Sequence, residues 1–213
     1  MSLNKKKLLH FVINQLNFLF KDNRKIKTSN LISSFNIALD RTEYCFSKIK
    51  GRYYKKNKEI YFNHLNSDQY SIFLYFLSNT CFKEKIDYQL SNKIYCLNKI
   101  LHSVDIFYEI KLPDIFNLVH PLGTVLGRAK YSNFFTAYQN CTVGVSNNKH
   151  PHIGKYVTLR PGSLILGNSQ IGDNCEISAG SLLLNKNLKN DSIYIGNPKK
   201  NFVLKNNIKN NWK

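Results

Sequence analysis

The sequence predicts an α+β protein in which an all-α N-terminal domain is followed by a parallel β-helix of hexapeptide repeats. Large aliphatic residues recur at every sixth position in the C-terminal half: Ile153, Leu159, Ile165, Ile171, Ile177 and Leu183. Neither an α-helix nor a single strand keeps this period, whereas short strands separated by turns do. Glycine usage marks the domain boundary, because Gly51 is the only glycine before Gly123.

A second set of positions supports the same repeat. Four residues after each large aliphatic comes a smaller side chain that suits a tight corner: Val157, Ser163, Ser169, Cys175, Ser181 and Asn187. The rhythm is weaker upstream, where Val119, Val125, Tyr131, Ala137 and Val143 keep the step and Gly123, Ala129, Phe135 and Cys141 follow them. There the register can instead use Leu126. Val143 and Ile153 are ten positions apart, which predicts a bulge of about four extra residues around Ser146–His152, where a loop can carry chemistry.

Apolar residues at helical spacing predict four helices in the N-terminal half. Their expected bounds are 5–21, 29–50, 67–82 and 89–104, with Ser29 or Asn30 capping the second helix and Ser67 the third. The first helix is expected to pack on its own domain rather than on a membrane surface. The third should direct Tyr70, Phe73, Leu74 and Leu77 inward. Residues 51–57 are expected to form a loop.

These assignments divide the 213-residue chain into a helical domain (1–108), a β-helix domain (109–200) and a basic C-terminal tail (201–213). The tail is rich in Lys and Asn and is expected to be a short helix or disordered. The net charge of +18 suits nucleic acid or an anionic ligand. However, Lys and Asn are abundant throughout and no nucleic-acid motif is present, so a compositional bias explains the charge better and no nucleic-acid partner is expected.

The cysteines and the apolar segments indicate a cytoplasmic protein. The five cysteines are scattered without a CxxC pair, which argues against a disulfide framework or a zinc site and for a reducing compartment. Cys141 and Cys175 fall at corner positions of the repeat and are expected to be packed inside. The longest apolar run, residues 72–77, is too short to span a membrane, and no signal-peptide cleavage site follows the basic N-terminus.

Histidines near the irregular coils are the candidate catalytic residues. His120 precedes the first convincing coil, and His150 and His152 lie on the bulge. An imidazole, with its ordinary pKa of about 6.5, is well suited to remove a hydroxyl proton near neutral pH. Such a base needs an orienting carboxylate, for which Asp105, Glu109 and Asp114 are upstream candidates. Three histidines can also bind zinc, but no second histidine pair completes a site, so no metal is expected.

Four segments together resemble the serine O-acetyltransferases and the wider left-handed β-helix acyltransferases. Residues 120–127 (HPLGTVLG) resemble the catalytic "HxxGxVIG" segment of that family, and residues 138–144 (YQNCTVG) resemble its "YQGVTLGG". Residues 149–154 (KHPHIG) are similar to "RHPxIG", and residues 193–199 (IYIGNPK) to "VVGNPAK". The four motifs follow in the family's order over about eighty residues.

The resemblance implies a left-handed β-helix that transfers an acetyl group from acetyl-CoA. His120 would be the general base for direct attack of an acceptor hydroxyl on the thioester, and His150 would lie across the cleft, near the acceptor's carboxylate or the oxyanion. The CoA groove would be lined by Gly162, Ser178, Ala179, Gly180, Asn197, Pro198 and Lys199, with Lys199 or Lys200 meeting the phosphates. The resemblance also implies a homotrimer, or a dimer of trimers, with sites between neighbouring chains.

Several positions depart from the family pattern and leave the acceptor open. Asp105 lies fifteen residues before His120, as the family's orienting aspartate does, yet Glu109-Ile110 resembles that motif's "DI" more closely. Val145 replaces the second glycine of "LGG", and both the bulge and the helical domain are shorter than is typical. L-Serine is therefore the first candidate acceptor and a sugar hydroxyl or amine, including a nucleotide-linked sugar, the second. A non-catalytic β-helix scaffold is the third interpretation.

Overall fold

The computed structural model describes residues 1–22, 24–85, 87–206 and 212. The helices of the N-terminal half are α1 (Lys5–Leu19), α2 (Thr28–Ser47), α3 (Ser67–Lys83) and α4 (Tyr88–His102), with a 3₁₀ helix at Arg52–Tyr54. The strands are β1 (Lys55–Lys56), β2 (Glu59–Ile60), β3 (Phe116–Leu118), β4 (Val125–Leu126), β5 (Lys130–Tyr131), β6 (Phe135–Ala137), β7 (Thr142–Gly144), β8 (His152–Ile153), β9 (Thr158–Leu159), β10 (Leu164–Leu166), β11 (Gln170–Ile171), β12 (Glu176–Ile177), β13 (Leu182–Leu184), β14 (Ser192–Gly196) and β15 (Asn201–Lys205). The predicted fold class, a helical domain followed by a parallel β-helix, is confirmed.

Helix α3 is the centre of the helical domain. Every residue from Gln69 to Cys81 is buried, because α2, α4 and strand β3 pack around the helix. The predicted inward face is confirmed, but the opposite face is buried as well, as expected for a helix that is apolar on all sides. Through β3, α3 connects the helical core to the first coil of the β-helix. No helix in the described part of the chain is long and apolar enough to cross a membrane.

The helix starts differ from the sequence prediction. Asn66, not Ser67, caps α3, and its side chain accepts a hydrogen bond from the backbone of Gln69. Helix α2 begins after Lys27, whose backbone N–H donates to the side chain of Asn30. For α3 the cap lies one residue before the predicted Ser67, whereas for α2 the predicted Asn30 supplies the side chain of the capping interaction from the first turn of the helix. The expected loop at 51–57 contains the 3₁₀ helix and the first strand of the β1–β2 hairpin.

Three sheets, parallel except for the last strand β15, form the three faces of the β-helix. The first face has the strand order β13-β10-β7-β4, the second has β11-β8-β5, and the third has β15-β14-β12-β9-β6-β3. Each coil crosses the third face, then the first, then the second. The predicted sixfold residues Ile153 to Leu183 all point inward and are at most 5% exposed. Each such side chain contributes about 1.5–3 kcal/mol through burial.

The register of the first and last coils differs from the main prediction. Leu118 and Leu126 are buried, whereas Val119 is half-buried and Val125 is exposed, so the alternative register through Leu126 is correct. At the other end, the buried Leu188 pairs with Ile171 and takes the next large aliphatic position only five residues after Leu183, one residue earlier than the sixfold step gives. Cys141 and Cys175 are buried, as predicted from their corner positions.

The predicted bulge lies between the first and second faces. Thr142 pairs with Leu164, 22 positions on, whereas Leu164 pairs with Leu182, 18 positions on. The four extra residues form a turn closed by a bridge between Ser146 and Lys149.

The beginning of the C-terminal tail is neither helical nor disordered. Residues 201–205 form strand β15, which pairs antiparallel with β14 at the edge of the third face. Trp212 is buried and bridges to Ile49, whereas Phe202, Val203 and Leu204 are exposed. Residues 207–211 and 213 of the predicted tail lie outside the described residues.

Candidate active site

His120 lies at the edge of the prism where the third face meets the first, which we call the first corner (residues 119–124, 138–141, 160–163 and 178–181). Backbone hydrogen bonds between successive coils stack Val119, Tyr138, Arg160 and Ser178 in one column along this corner. The next position in the regular coils gives a second column of Gln139, Pro161 and Ala179. In the first coil this corner is two residues longer, and Leu122 continues the column because its carbonyl accepts from the Asn140 N–H, while His120 lies just before it. Since neighbouring strands are about 4.8 Å apart, His120 and Ala179 are separated by about 14 Å along the prism axis.

The sequence-predicted CoA residues share this corner with His120. Gly162 and Gly180 have φ angles of +70° and +68° at its turns, a backbone conformation that favours glycine. Ser178 is half-buried, and Ala179 and Gly180 are exposed. The turn that contains Asn197, Pro198, Lys199 and Lys200 follows in the next coil, where the Gly196 N–H donates to Ser181 Oγ.

The turn after β14 is held by one side chain. Asn197 Oδ1 accepts hydrogen bonds from the backbone N–H groups of Lys199 and Lys200, and both lysine residues are exposed. The structure therefore aligns all the predicted CoA residues with His120 along one edge, and the lysines lie at the end of this edge far from His120.

The carboxylate of Asp68 holds His120 in place, although the spacing of residues in the sequence does not indicate this contact. The His120 backbone N–H donates to Asp68 Oδ1 at 3.1 Å, although 52 positions separate the two residues. Asp68 lies in the first turn of α3, where the helix dipole favours a negative charge. Burial raises the pKa of the Asp68 carboxyl, and the hydrogen bond from His120 opposes this only in part. Only the fold could reveal this contact.

His120 itself adopts an uncommon backbone conformation. Its φ angle is +48°, in the left-handed region that side chains other than Gly, Asn and Asp rarely adopt, and its carbonyl accepts from the Leu122 N–H at 2.7 Å. The side chain is exposed. This conformation places His120 on the outer edge of the corner, where a ligand can reach it.

The predicted orienting carboxylates have other surroundings. The backbone of Asp105 forms an isolated parallel bridge with Val125 of β4. Its carboxylate accepts hydrogen bonds from Tyr95 at 2.7 Å and Lys99 at 2.6 Å. Burial alone would raise the Asp105 pKa, but these two hydrogen bonds outweigh it and lower the pKa. Glu109 and Asp114 are exposed.

His150 and His120 lie at opposite edges of the first face. His150 follows β7 on the bulge, whereas His120 precedes β4 at the first corner, and the side chains of both are exposed. A single chain therefore does not bring the two histidines together across one cleft. Within the described residues, no group of three or more His, Cys, Asp or Glu side chains is arranged to hold a metal ion.

A cleft of about 280 Å³ borders the first corner on the third face; we call it the third-face cleft. It lies between the outward side chains of the third face and the segment after α2. Its lining is Ile49, Lys50, Gly51, Tyr54, Asn117, Val119, Thr136, Tyr138, Tyr156, Thr158, Arg160, Asn174, Glu176 and Trp212. Arg160 pairs with Glu176 at 2.6 Å, and the Tyr54 hydroxyl donates to Asn117 at 2.8 Å. Sequence patterns did not indicate this cleft, because its lining comes from four coils and both domains.

Comparison with known proteins gives concordant matches in sequence and fold. The bacterial transferase hexapeptide (six repeats) family matches residues 150–185. A serine acetyltransferase of Synechococcus elongatus is 32% identical over 107 residues, which cover 48% of this chain and 43% of that protein. A serine acetyltransferase of Buchnera aphidicola is 32% identical over 130 residues, 58% of this chain and 49% of that protein. The chain thus spans less than half the length of these curated relatives.

Solved structures match over nearly the whole chain. A serine acetyltransferase from Vibrio cholerae superposes with a TM-score of 0.75 at 16% identity, covering 97% of this chain and 81% of that one. A serine acetyltransferase in complex with CoA superposes with a TM-score of 0.71 at 17% identity, covering 94% and 84%. The chain is therefore similar to serine acetyltransferases in its hexapeptide repeats and in its complete fold, including the four helices.

Proposed function

We propose that this chain is an acetyl-CoA-dependent O-acetyltransferase and that His120 is its general base. The observation that supports this most is the first corner, where His120 shares one edge with Gly162, Ser178, Ala179 and Gly180, and which the turn at residues 197–200 follows in the next coil. The sequence relatives are named serine acetyltransferases, and one solved structure of the same fold is a complex with CoA. Acetyl-CoA acts here as a co-substrate, bound along the corner.

The reaction is a direct transfer. The acceptor hydroxyl oxygen attacks the thioester carbonyl while His120 takes the hydroxyl proton, the C–S bond breaks, and CoA leaves as a thiol after protonation. In this reaction the stack of Gly162, Ser178, Ala179 and Gly180 offers the pantetheine arm a surface without bulky side chains. Asn197 and Pro198 shape the following turn, and Lys199 or Lys200 provides the positive charge for the phosphates.

Asp68 is the carboxylate that we assign to positioning His120, since its oxygen accepts the His120 backbone N–H. A residue in the left-handed region is strained and stays there only when its neighbours hold it. Asp105 and Glu109 remain alternatives for orienting the imidazole ring itself. For Asp105 this role would require its carboxylate to serve His120 as well as Lys99 and Tyr95.

We further propose a homotrimer, because a site that uses both His120 and His150 needs two chains. The two histidines lie at opposite edges of the first face, so a neighbour's bulge can bring a second His150 to the first corner. Sedimentation of the purified chain tests the trimer, and the same measurement shows whether two trimers pair. A cytoplasmic location is supported by the five free cysteines, four of which are buried.

L-Serine is the first candidate acceptor, because the relatives are named for it. A sugar hydroxyl is the second, and the specific observation in its favour is the third-face cleft beside Val119, which is lined with hydroxyl and amide groups. A non-catalytic scaffold is the least favoured interpretation, since His120 is exposed at the corner together with its motif neighbours.

The test is release of free thiol from acetyl-CoA with L-serine and, separately, with amino sugars and nucleotide sugars. We expect His120→Ala to lower turnover about 100-fold or more. His152→Ala is the matched control, because His152 is an exposed histidine on the second face, away from the first corner. Turnover with sugars alone would exclude serine as the acceptor. Full activity of the His120→Ala variant would refute the assignment of the base.

A further inference from the structure

We propose that the third-face cleft binds a neutral, hydroxyl-rich ligand of the sugar class and so holds the non-reacting part of the acceptor next to His120. This inference rests on the proposed function, because it chooses between the two candidate acceptors of the same site: the relatives' names favour L-serine, and the lining of the cleft favours the sugar. It depends on the chemistry of the cleft, its charge balance and its position relative to the corner, none of which follows from the hexapeptide motifs.

The cleft is lined with neutral groups that form hydrogen bonds. Hydroxyls come from Thr136 and Thr158 and amides from Asn117 and Asn174, all on the outer surface of the β-helix. Within the part of the chain that the structure describes, the Thr136 and Thr158 hydroxyls make no hydrogen bond to other protein groups. Since Thr136 is only 9% exposed, its hydroxyl gains most from a ligand that supplies a partner.

The charges in the cleft largely cancel. Arg160 and Glu176 form an ion pair at 2.6 Å, and hydrogen bonding to Glu176 raises the pKa of Arg160. Among the residues that the structure describes, the remaining charged side chain of the lining is the exposed Lys50, at the rim. A zwitterionic amino acid needs a cation and an anion that are not already paired, and a phosphate needs several donors of positive charge. The lining therefore favours a neutral polar ligand.

Aromatic rings provide flat surfaces between these polar groups. Tyr54, Tyr138 and Tyr156 all line the cleft, and the Arg160 guanidinium lies 5.5 Å from the centre of the Tyr138 ring. A tyrosine presents an apolar face and a polar hydroxyl, which complements a pyranose ring with its C–H face and its hydroxyl edge. Tyr156 is kept in place by stacking on Phe134, with ring centres 4.4 Å apart.

The cleft also has the right position and length. Val119 lines it and His120 is the next residue, so a ligand in the cleft ends beside the proposed base. Asn117, Thr136, Thr158 and Glu176 are in register on four successive strands, so the cleft extends over three strand spacings, about 14 Å. This length suits an elongated acceptor whose terminal hydroxyl reaches the first corner.

Binding can be measured without catalysis. We would record saturation-transfer NMR spectra of the full chain with methyl glucoside, N-acetylglucosamine and N-acetylgalactosamine, and use L-serine and inorganic phosphate as competitors. Thr158→Phe fills the cleft and should abolish the signal. Thr158→Val removes only the hydroxyl and should weaken binding about threefold to tenfold, whereas Thr158→Ser should stay near wild type. Gln170→Phe is the control, because it adds a ring on the second face outside the cleft.

We expect saturable binding of at least one sugar, unchanged in His120→Ala and Gln170→Phe and lost in Thr158→Phe. The proposal is overturned if none of the three sugars binds, if Thr158→Phe binds as wild type does, or if L-serine or phosphate displaces the sugar. This readout is independent of acetyl transfer. Sugar binding without thiol release would refute the proposed function and leave the cleft as a sugar site. Serine acetylation without sugar binding would support the proposed function and refute the sugar site.

Discussion

Replacing Asp68 by alanine should lower catalysis without unfolding the protein. The carboxylate accepts a hydrogen bond from the backbone N–H of His120 at 3.1 Å and a longer one from the hydroxyl of its neighbour Ser67 at 3.4 Å. Hydrogen bonds to charged groups contribute about 1.5–3 kcal/mol, and the half-buried position of Asp68 places the one from His120 in the lower part of that range, about 1.5–2 kcal/mol. If this free energy serves to hold His120 in its reactive position, kcat should fall by about 10- to 30-fold.

The assay is thiol release from acetyl-CoA under saturation with each substrate in turn. A positioning role predicts that kcat and kcat/KM fall together while KM changes little, because the contact acts on the base and not on substrate binding. Asp68→Asn keeps an oxygen that can accept the hydrogen bond and should recover part of the loss. Asp87→Ala is the control: it removes the aspartate that caps α4 and pairs with Arg24, far from the first corner, and so shows what a loss of helix stability alone does to activity.

Stability should change in the opposite direction from activity. The pKa of Asp68 is raised in the folded protein, so its carboxyl group favours the folded state at low pH. This contribution is fully present below the unfolded pKa of about 4 and is lost as the pH rises through the folded pKa. At neutral pH the Asp68→Asn variant should therefore unfold at a temperature no lower than wild type. Wild-type kcat in Asp68→Ala, or a loss that merely follows the unfolded fraction, would refute the positioning role.

Three further predictions concern stability and can be checked by thermal or urea unfolding. Burial lowers the pKa of His102 to about 4, so stability should fall by about 3 kcal/mol as the pH drops from about 6.5 to 4, and His102→Gln should remove most of this dependence. Ile165→Ala should cost about 2–5 kcal/mol because its side chain is fully buried in the β-helix, and Leu164→Ala, which points outward, should cost clearly less. Gly196→Ala should cost more than Gly180→Ala. Both glycines have positive φ angles, but a Cβ at Gly196 would lie 2.3 Å from the carbonyl oxygen of Lys200, whereas one at Gly180 meets nothing within 4 Å.

The regular coils could be predicted from the sequence because one side chain determines each step. Ile165 and Leu183 occupy equivalent interior positions on adjacent strands, and the 18 positions between them are three hexapeptides. The first coil is not so regular. Leu118 pairs with Ala137 after 19 positions, and Leu126 with Val143 after 17, so one corner is longer and the next shorter. A fixed step of six residues therefore selects Val119 and Val125, each one residue from the true interior position.

Strand β15 could not be predicted because its stability comes from pairing and not from burial. Phe202, Val203 and Leu204 are a short β-forming run in a tail of Lys and Asn, yet all three remain exposed on the edge of the sheet. Composition indicates disorder for such a tail, and only the hydrogen-bonding edge of β14 supplies the partner that makes it a strand.

The residues of the candidate site divide in the same way. His120 and the glycine turns could be found from the sequence, because their motifs are local and their spacing follows the coil. Asp68 could not be found, because its contact with His120 joins a helix start to a β-helix corner 52 positions away. The third-face cleft is equally non-local. Contacts between the domains therefore determine the details of this site, whereas the repeat determines only where it lies.

The positive φ angle of His120 gives the helical domain a role in the site. Among the described residues, three with aromatic side chains have a left-handed backbone conformation: His120, Phe134 and Tyr156. Phe134 and Tyr156 stack on each other, which offsets their strain within the β-helix. His120 is exposed, and its backbone N–H is fixed by donating a hydrogen bond to Asp68 of α3. Since a strained residue persists only where its surroundings hold it, α3 keeps the proposed base in place.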